Sequence, residues 1–296
     1  MQAQIIVITD SSASLPSAPP EPIVVVPLRV LAGGAVADDQ AGGLPEAIAR
    51  ELRGGERLST ARPAPEQFAA AYAAAAAGGA PEIVSVHLSG ELSGTLGSAR
   101  LAAATAPVPV HVVDSRSVGA GLGIVAVAAA RAAAAGQPGR SVAEAAIRRS
   151  ARIGSFFALD SQEQLRAGGR LGAAQLDAVG DGPRAGPGRG PGGGGVMMRS
   201  RPVLHLQDGR IVVLERVRTQ SAAADRLTEL AAGFAAGHPC QVVVQHLDSP
   251  AAAADLARQL AGALPAAGPI SVLAAGTAIL AHTGPGLLGV VVAPLE

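Results

Sequence analysis

The chain has 296 residues, of which 49% are hydrophobic but only 2% aromatic, and its 23 Lys and Arg are balanced by 23 Asp and Glu. That balance excludes the positive field that draws proteins to phosphate backbones or anionic bilayers, and four Phe, one Tyr and no Trp cannot build stacking platforms for single strands. The length suggests two compact lobes, and none of the apolar runs, such as Ile23 to Val26 or Leu122 to Ala130, reads as a membrane span.

In chain order, the first half alternates short β-branched runs with longer Ala-rich ones, the pattern of parallel strands joined by helices. Strands are expected at Ile5 to Thr9, Ile23 to Leu28, Ile83 to Leu88 and Val110 to Asp114, in a sheet buried on both faces. Helices are expected at Pro65 to Ala77, with Phe68 and Tyr72 on one face, at Ser93 to Ala104 and at Gly121 to Ala134. Ser141 and Glu144 have the spacing of a capping box for a further helix ending near Arg152, where the chain passes from one lobe to the next. The expected lobes are residues 1–152 and 153–296.

The second half reads differently. Asp208-Gly209 between two apolar runs, Pro202 to Gln207 and Arg210 to Val217, signals a tight hairpin and therefore antiparallel pairing. A helix from about Ser221 to Phe234, a strand at Gln241 to Leu247, a helix with Ser249 as cap and Pro250 at its first position, and a strand at Ile270 to Ala274 follow. The fold class is α/β: an N-terminal parallel-sheet α/β/α lobe and a C-terminal mixed-sheet lobe. Residues 179–195 are dominated by Gly, Pro and Arg and are expected to be disordered. Cys240 gives no disulfide framework and is expected as an inert, half-buried thiol at a strand entry. No basic region with an apolar run and cleavage site precedes Ile5 to Ile8, so a cytoplasmic location is expected.

Small hydroxyl and Gly residues collect at the carboxyl ends of the predicted strands, the edge where open α/β sheets bind ligands. The runs are TDSS from Thr9, STARP from Ser59, SGELSGT from Ser89 and DSRS from Asp114. Taken singly, such hydroxyls serve as helix caps as readily as ligand contacts. Their order, together with LRAGGRLG, DGR with VRTQ, and HTGPGLLG, resembles the DegV family from end to end apart from the Gly/Pro stretch.

The resemblance implies a two-lobe protein that binds one long-chain fatty acid, in a class that includes the acyl-carrying subunit of bacterial fatty acid kinase. There a separate kinase phosphorylates the carried carboxylate using ATP. By position, it implies carboxylate binding at Thr60, Ser93, Gly94 and His282, and a head-group or partner contact at Arg170 and Arg218. Ala61 and Arg62 stand where the family commonly has Ser and Gln. The ligand is the fatty acid itself, with no cofactor and no metal; a kinase catalytic subunit is a candidate partner, and nucleic acid is not.

Burying about fifteen methylenes at ~0.8 kcal/mol each gives on the order of 12 kcal/mol before the costs of association, so a few hydroxyls suffice to orient such a ligand. No Gly-x-Ser-x-Gly elbow, His-x-x-x-His pair or phosphate-binding Gly-Lys loop is present, so no enzyme is expected. Two alternatives stay open: a hydrolase using Ser93 with His282 and Asp10, and a regulatory or scaffold protein that has lost its ligand.

Overall fold

The computed structural model describes residues 4–16, 19, 22–39, 46–53, 56–161, 165, 166, 168–171 and 200–295. Residues 179–195, expected to be disordered, lie outside the described residues.

The N-terminal lobe is built on a four-stranded, all-parallel sheet of β1 (Ile6–Asp10), β2 (Ile23–Val26), β6 (Ile83–His87) and β7 (Val110–Asp114) in the order β2-β1-β6-β7. All five residues of β6 are buried, as its Val and Ile content requires of a central strand. The edge strand β2 leaves Val24 and Val25 43% and 42% exposed. Parallel pairing demands crossovers, and helices supply them on both faces. One face meets α2 (Pro65–Ala77) and α3 (Thr95–Ala103), where Phe68, Tyr72, Ala99 and Ala102 pack on Ile8 and Ile83. The other meets α4 (Ala120–Ala134) and α5 (Gly139–Ser150), where Leu122, Val125, Ala129 and Val142 pack on Val7, Val84 and Val86.

The sequence pattern did not reveal a small antiparallel sheet, β4-β3-β5, made of β3 (Arg29–Ala32), β4 (Ala35–Asp38) and β5 (Leu58–Ala61). A short helix, α1 (Glu46–Arg53), contributes the buried Ile48 to its core. Two expected helix starts also move. The helix beginning with α5 has Pro138 at its cap, so Ser141 falls inside the first turn, and Glu144 pairs with the exposed Arg140 at 3.1 Å instead of closing a capping box. Helix α3 begins at Thr95 with Gly94 as its cap, two residues later than expected.

The C-terminal lobe has a six-stranded mixed sheet, β10-β9-β8-β13-β11-β12, formed by β8 (Gly154–Ala158), β9 (Arg201–Gln207), β10 (Arg210–Val217), β11 (Cys240–His246), β12 (Ser271–Ala274) and β13 (Leu288–Pro294). β13 lies antiparallel between β8 and β11, while β11 and β12 are parallel. The β9–β10 hairpin turns at Asp208 and Gly209, with φ of 50° and 78°, the pair of positive values that a two-residue turn of matching twist needs. One sheet face is covered by α6 (Gln220–Ala235) and α7 (Pro250–Ala263), where Leu227, Leu256 and Leu260 are fully buried. Cys240 is 1% exposed within that core, deeper than half-burial, because it opens a strand that α7 covers. The other face looks toward the N-terminal lobe.

Candidate functional site

The carboxyl ends of the parallel strands face the open side of the six-stranded sheet, and a cavity of about 940 Å³, its mouth included, lies between them. The loops after β1, β6 and β7 bring Ser12, Leu92, Ser93 and Val118 to one wall. The sheet brings Phe157, Leu206, Ile211, Gly289 and Val291 to the other. The helix α8 (Thr277–Thr283) closes a third side with Ile279 and His282, and β5 adds Thr60.

Thr60 and His282, 222 residues apart, meet through Thr60 Oγ1 and His282 Nε2 at 2.7 Å. Thr60 was expected in a loop and instead lies on β5, which fixes its direction by pairing with Val30. Ser93 Oγ accepts the Thr95 N–H at 3.3 Å and is 2.9 Å from Thr95 Oγ1. It stands just outside the helix that it was expected to open. Gly94, the cap of α3, has the exposed Arg62 guanidinium packed against it, so a Cβ there would collide with that side chain. A cation therefore stands beside Ser93 where the resemblance led us to expect a Gln.

Burial, and then the positive charge of Arg170, push the His282 imidazole down to about 4, so the ring is neutral at pH 7. Arg170 lines the same cavity, where burial lowers its own pKa, and its Nη1 donates to the Gly168 carbonyl at 2.9 Å. Thr60, Ser93, His282 and Arg170 thus share one cavity. Arg218 does not line it; it is exposed just beyond the end of β10.

Sequence reasoning missed Asp39, which is 2% exposed. Its Oδ2 accepts from Ser11 Oγ at 2.8 Å, it lies beside the backbone of Thr277 and Ala278, and burial raises its pKa. Asp39 thus stands at the start of the helix that carries His282. No local signal could have found it, because its partners lie 28 residues before it and at the far end of the chain.

Asp10 and His87 are both fully buried, and they belong to a separate network. Asp10 accepts from Ser12 N–H and Oγ, from Leu88 N–H at 3.0 Å, and bonds His87 Nδ1 at 3.0 Å. The His87 Nε2 is 2.7 Å from Ser85 Oγ, which is 2.9 Å from the Tyr72 hydroxyl. The residues weighed for a hydrolase are therefore held in three different sets of bonds: Ser93 with Thr95, His282 with Thr60, and Asp10 with His87 and Ser12. Among the described residues, no group of three or more His, Cys, Asp or Glu is placed to hold a metal ion, and no helix is long and apolar enough to cross a membrane.

A two-lobe α/β protein with a mostly aliphatic cavity between its lobes and a few polar groups at the cavity wall is the class that fold and site define. The chain belongs to the DegV family, described as uncharacterised proteins, whose model matches residues 4–179 and 195–295. It is 40% identical over 294 residues to a DegV domain-containing protein of Streptomyces coelicolor, covering 99% of both chains. Its fold is similar to that of a DegV family protein from Thermus thermophilus, whose structure is described as showing fatty acid binding. That match has a TM-score of 0.83 and 31% identity, covering 99% of this chain and 100% of the other. A DegV family protein from Corynebacterium glutamicum matches with a TM-score of 0.80 and 27% identity, covering 99% of each chain.

Proposed function

We propose that the protein carries one long-chain fatty acid, with its tail in the cavity between the lobes and its carboxylate held by Thr60, Ser93 and His282. Arg170 supplies positive charge, while Gly94, next to Ser93, lies outside the cavity lining with Arg62 packed against it. The observation that carries this reading is the cavity's composition. Its walls are largely Leu, Ile, Val and Phe, and it is entered by the Thr60–His282 pair, Ser93 and the half-buried Arg170 guanidinium. An aliphatic tail gains affinity from burial, and a carboxylate gains orientation from charge-assisted hydrogen bonds. The fatty acid binding described for the Thermus thermophilus relative supports the assignment.

The same reading makes the protein a cytoplasmic, non-catalytic partner that presents the carboxylate to a separate kinase for acyl-phosphate formation. Arg218, exposed beyond β10, and Arg62, exposed beside Gly94, are the cations available for such a contact. Purification under native conditions, followed by denaturing extraction and lipid mass analysis, tests the central claim. One acyl species per chain is expected. Absence of any such species, together with no uptake of added palmitate or oleate, overturns it.

A further inference from the structure

The lobes are tied together at places that differ in burial. Toward one edge of the six-stranded sheet, Gln245 on β11, 7% exposed, accepts the Ala120 N–H at 2.8 Å and donates to Ser14 Oγ at 2.6 Å. Near the covalent crossing, Arg149 at the end of α5 donates to the Pro294 carbonyl at 2.6 Å. The β9–β10 hairpin forms the opposite edge of the sheet, and its tip reaches the loops after β6 and β7.

Three contacts hold that tip. Ser89 Oγ donates to the Gly209 carbonyl at 2.7 Å, Arg116 Nη2 donates to the Asp208 carbonyl at 2.6 Å, and Arg210 pairs with Glu91 at 2.9 Å. Only the first is buried; Arg116 and Asp208 are exposed, and the Arg210 and Glu91 side chains are 66% and 43% exposed. Arg116 and Asp208 have φ of 47° and 50°, a region that is unfavourable outside glycine and is kept where surrounding contacts hold it. The hairpin turn accounts for Asp208. In Arg116 the same conformation goes with a guanidinium laid on the hairpin.

The cavity lies directly behind these contacts. Leu206 and Ile211, the second cross-strand pair from the turn, line it, as do Leu92 from the loop that holds Ser89 and Val118 from the loop that holds Arg116. Leu92 and Val118 pack on the cluster containing Leu206 and Ile211, so the lobes close this wall by apolar contact sealed at the rim by the three polar ones. Exposed ion pairs and single hydrogen bonds are each weak, so this edge parts more readily than the one held by the buried Gln245. We infer that the β9–β10 hairpin is a latch whose release from the loops after β6 and β7 opens the cavity for ligand exchange. This rests on the carrier reading above and names the route by which that ligand enters and leaves.

A latch governs rates. Weakening it raises the population of the open form with or without ligand, so uptake and release quicken together and affinity holds, whereas loss of a ligand contact quickens release alone. Stopped-flow fluorescence with cis-parinarate, a fluorescent fatty acid, measures uptake by the delipidated full-length protein, and transfer to phosphatidylcholine vesicles measures release. Ser89→Ala and Arg116→Ala should each raise both rates about fivefold, the effect of one lost hydrogen bond, with Kd held within about twofold. Glu91→Gln, an exposed change that leaves the core intact, should raise both rates about two- to fivefold and should remove much of the acceleration that added salt gives the wild type. Unchanged uptake and release in Arg116→Ala and Glu91→Gln overturn the latch. Faster release with level uptake also overturns it, because the hairpin would then be only a wall that touches the ligand. Failure of the wild type to bind cis-parinarate or palmitate overturns the carrier reading and the latch with it.

Discussion

The most quantitative consequence concerns His282 and pH. Its imidazole is held at about 4 against an ordinary value of 6.5, by burial first and by Arg170 second. In an unfolded chain the ring takes up a proton as pH falls through 6.5, and in the folded, ligand-free protein it does so only near 4. The unfolded state therefore binds more protons between those values, and stability falls across that window on acidification and levels off below it. The gap corresponds to roughly 3 kcal/mol at full strength. A bound carboxylate beside the ring reverses the sign. It favours the imidazolium and raises the His282 pKa, so binding takes up protons at pH values above the ligand-free value of about 4. His282→Gln keeps a hydrogen-bonding side chain but cannot titrate. Urea unfolding of both ligand-free proteins from pH 7.5 to 4.5 should show the wild type losing up to about 3 kcal/mol more than the variant. Calorimetric titration with palmitate in buffers of different ionisation heat should show proton uptake that grows as pH falls toward 5, in the wild type only. Parallel pH profiles for wild type and variant in both measurements would refute the argument.

Thr60→Ala and Ser93→Ala should each weaken fatty-acid binding roughly ten- to hundredfold, the worth of a charge-assisted hydrogen bond, with thermal stability of the ligand-free protein nearly unchanged. Loss of about 1 kcal/mol of stability with affinity preserved would assign them to capping instead. Asp10→Asn should do the opposite, costing about 3 to 5 kcal/mol of folding free energy in chemical denaturation, because the amide presents donors to groups that already donate. A loss below about 1 kcal/mol would mean the network is dispensable. Leu256→Ala, in the core under α7, should cost about 2 to 5 kcal/mol, while the affinity of the folded fraction for palmitate is retained. Weaker binding in that fraction would mean the core and the cavity are coupled.

The strands and helices that could be read from the sequence were those whose burial pattern is local. Ile83, Val84 and Val86 make Ile83–His87 a strand covered on both faces, and Asp208-Gly209 marks the hairpin after β9 by backbone conformation alone. Strand β5 was unreadable because Leu58-Ser59-Thr60-Ala61 is short and half polar, and only its pairing with β3 makes it a strand. β8 and β13 were missed as well, though β13 is a run of Val between two apolar neighbours; its position beside a Gly-Pro-Gly turn concealed it. The polar residues of the cavity were partly legible as motif positions, but their partnerships were not. Thr60 meets His282 across 222 residues and Gln245 meets Ser14 across 231, distances at which no spacing rule operates.

What separates the structural polar residues of this protein from those free to bind is saturation. Asp10 and His87 carry the residue types of a catalytic or binding pair, yet each of their side-chain polar atoms is bonded inside a fully buried network that ties the ends of β1 and β6 together. A ligand brought to them would have to replace bonds already made. Thr60, Ser93 and His282 have few partners each and are only partly buried on the cavity wall, so capacity remains at their oxygens and at the ring. An incoming carboxylate meets them without first breaking a buried network, and the energy of its hydrogen bonds goes into orientation while the hydrocarbon supplies affinity.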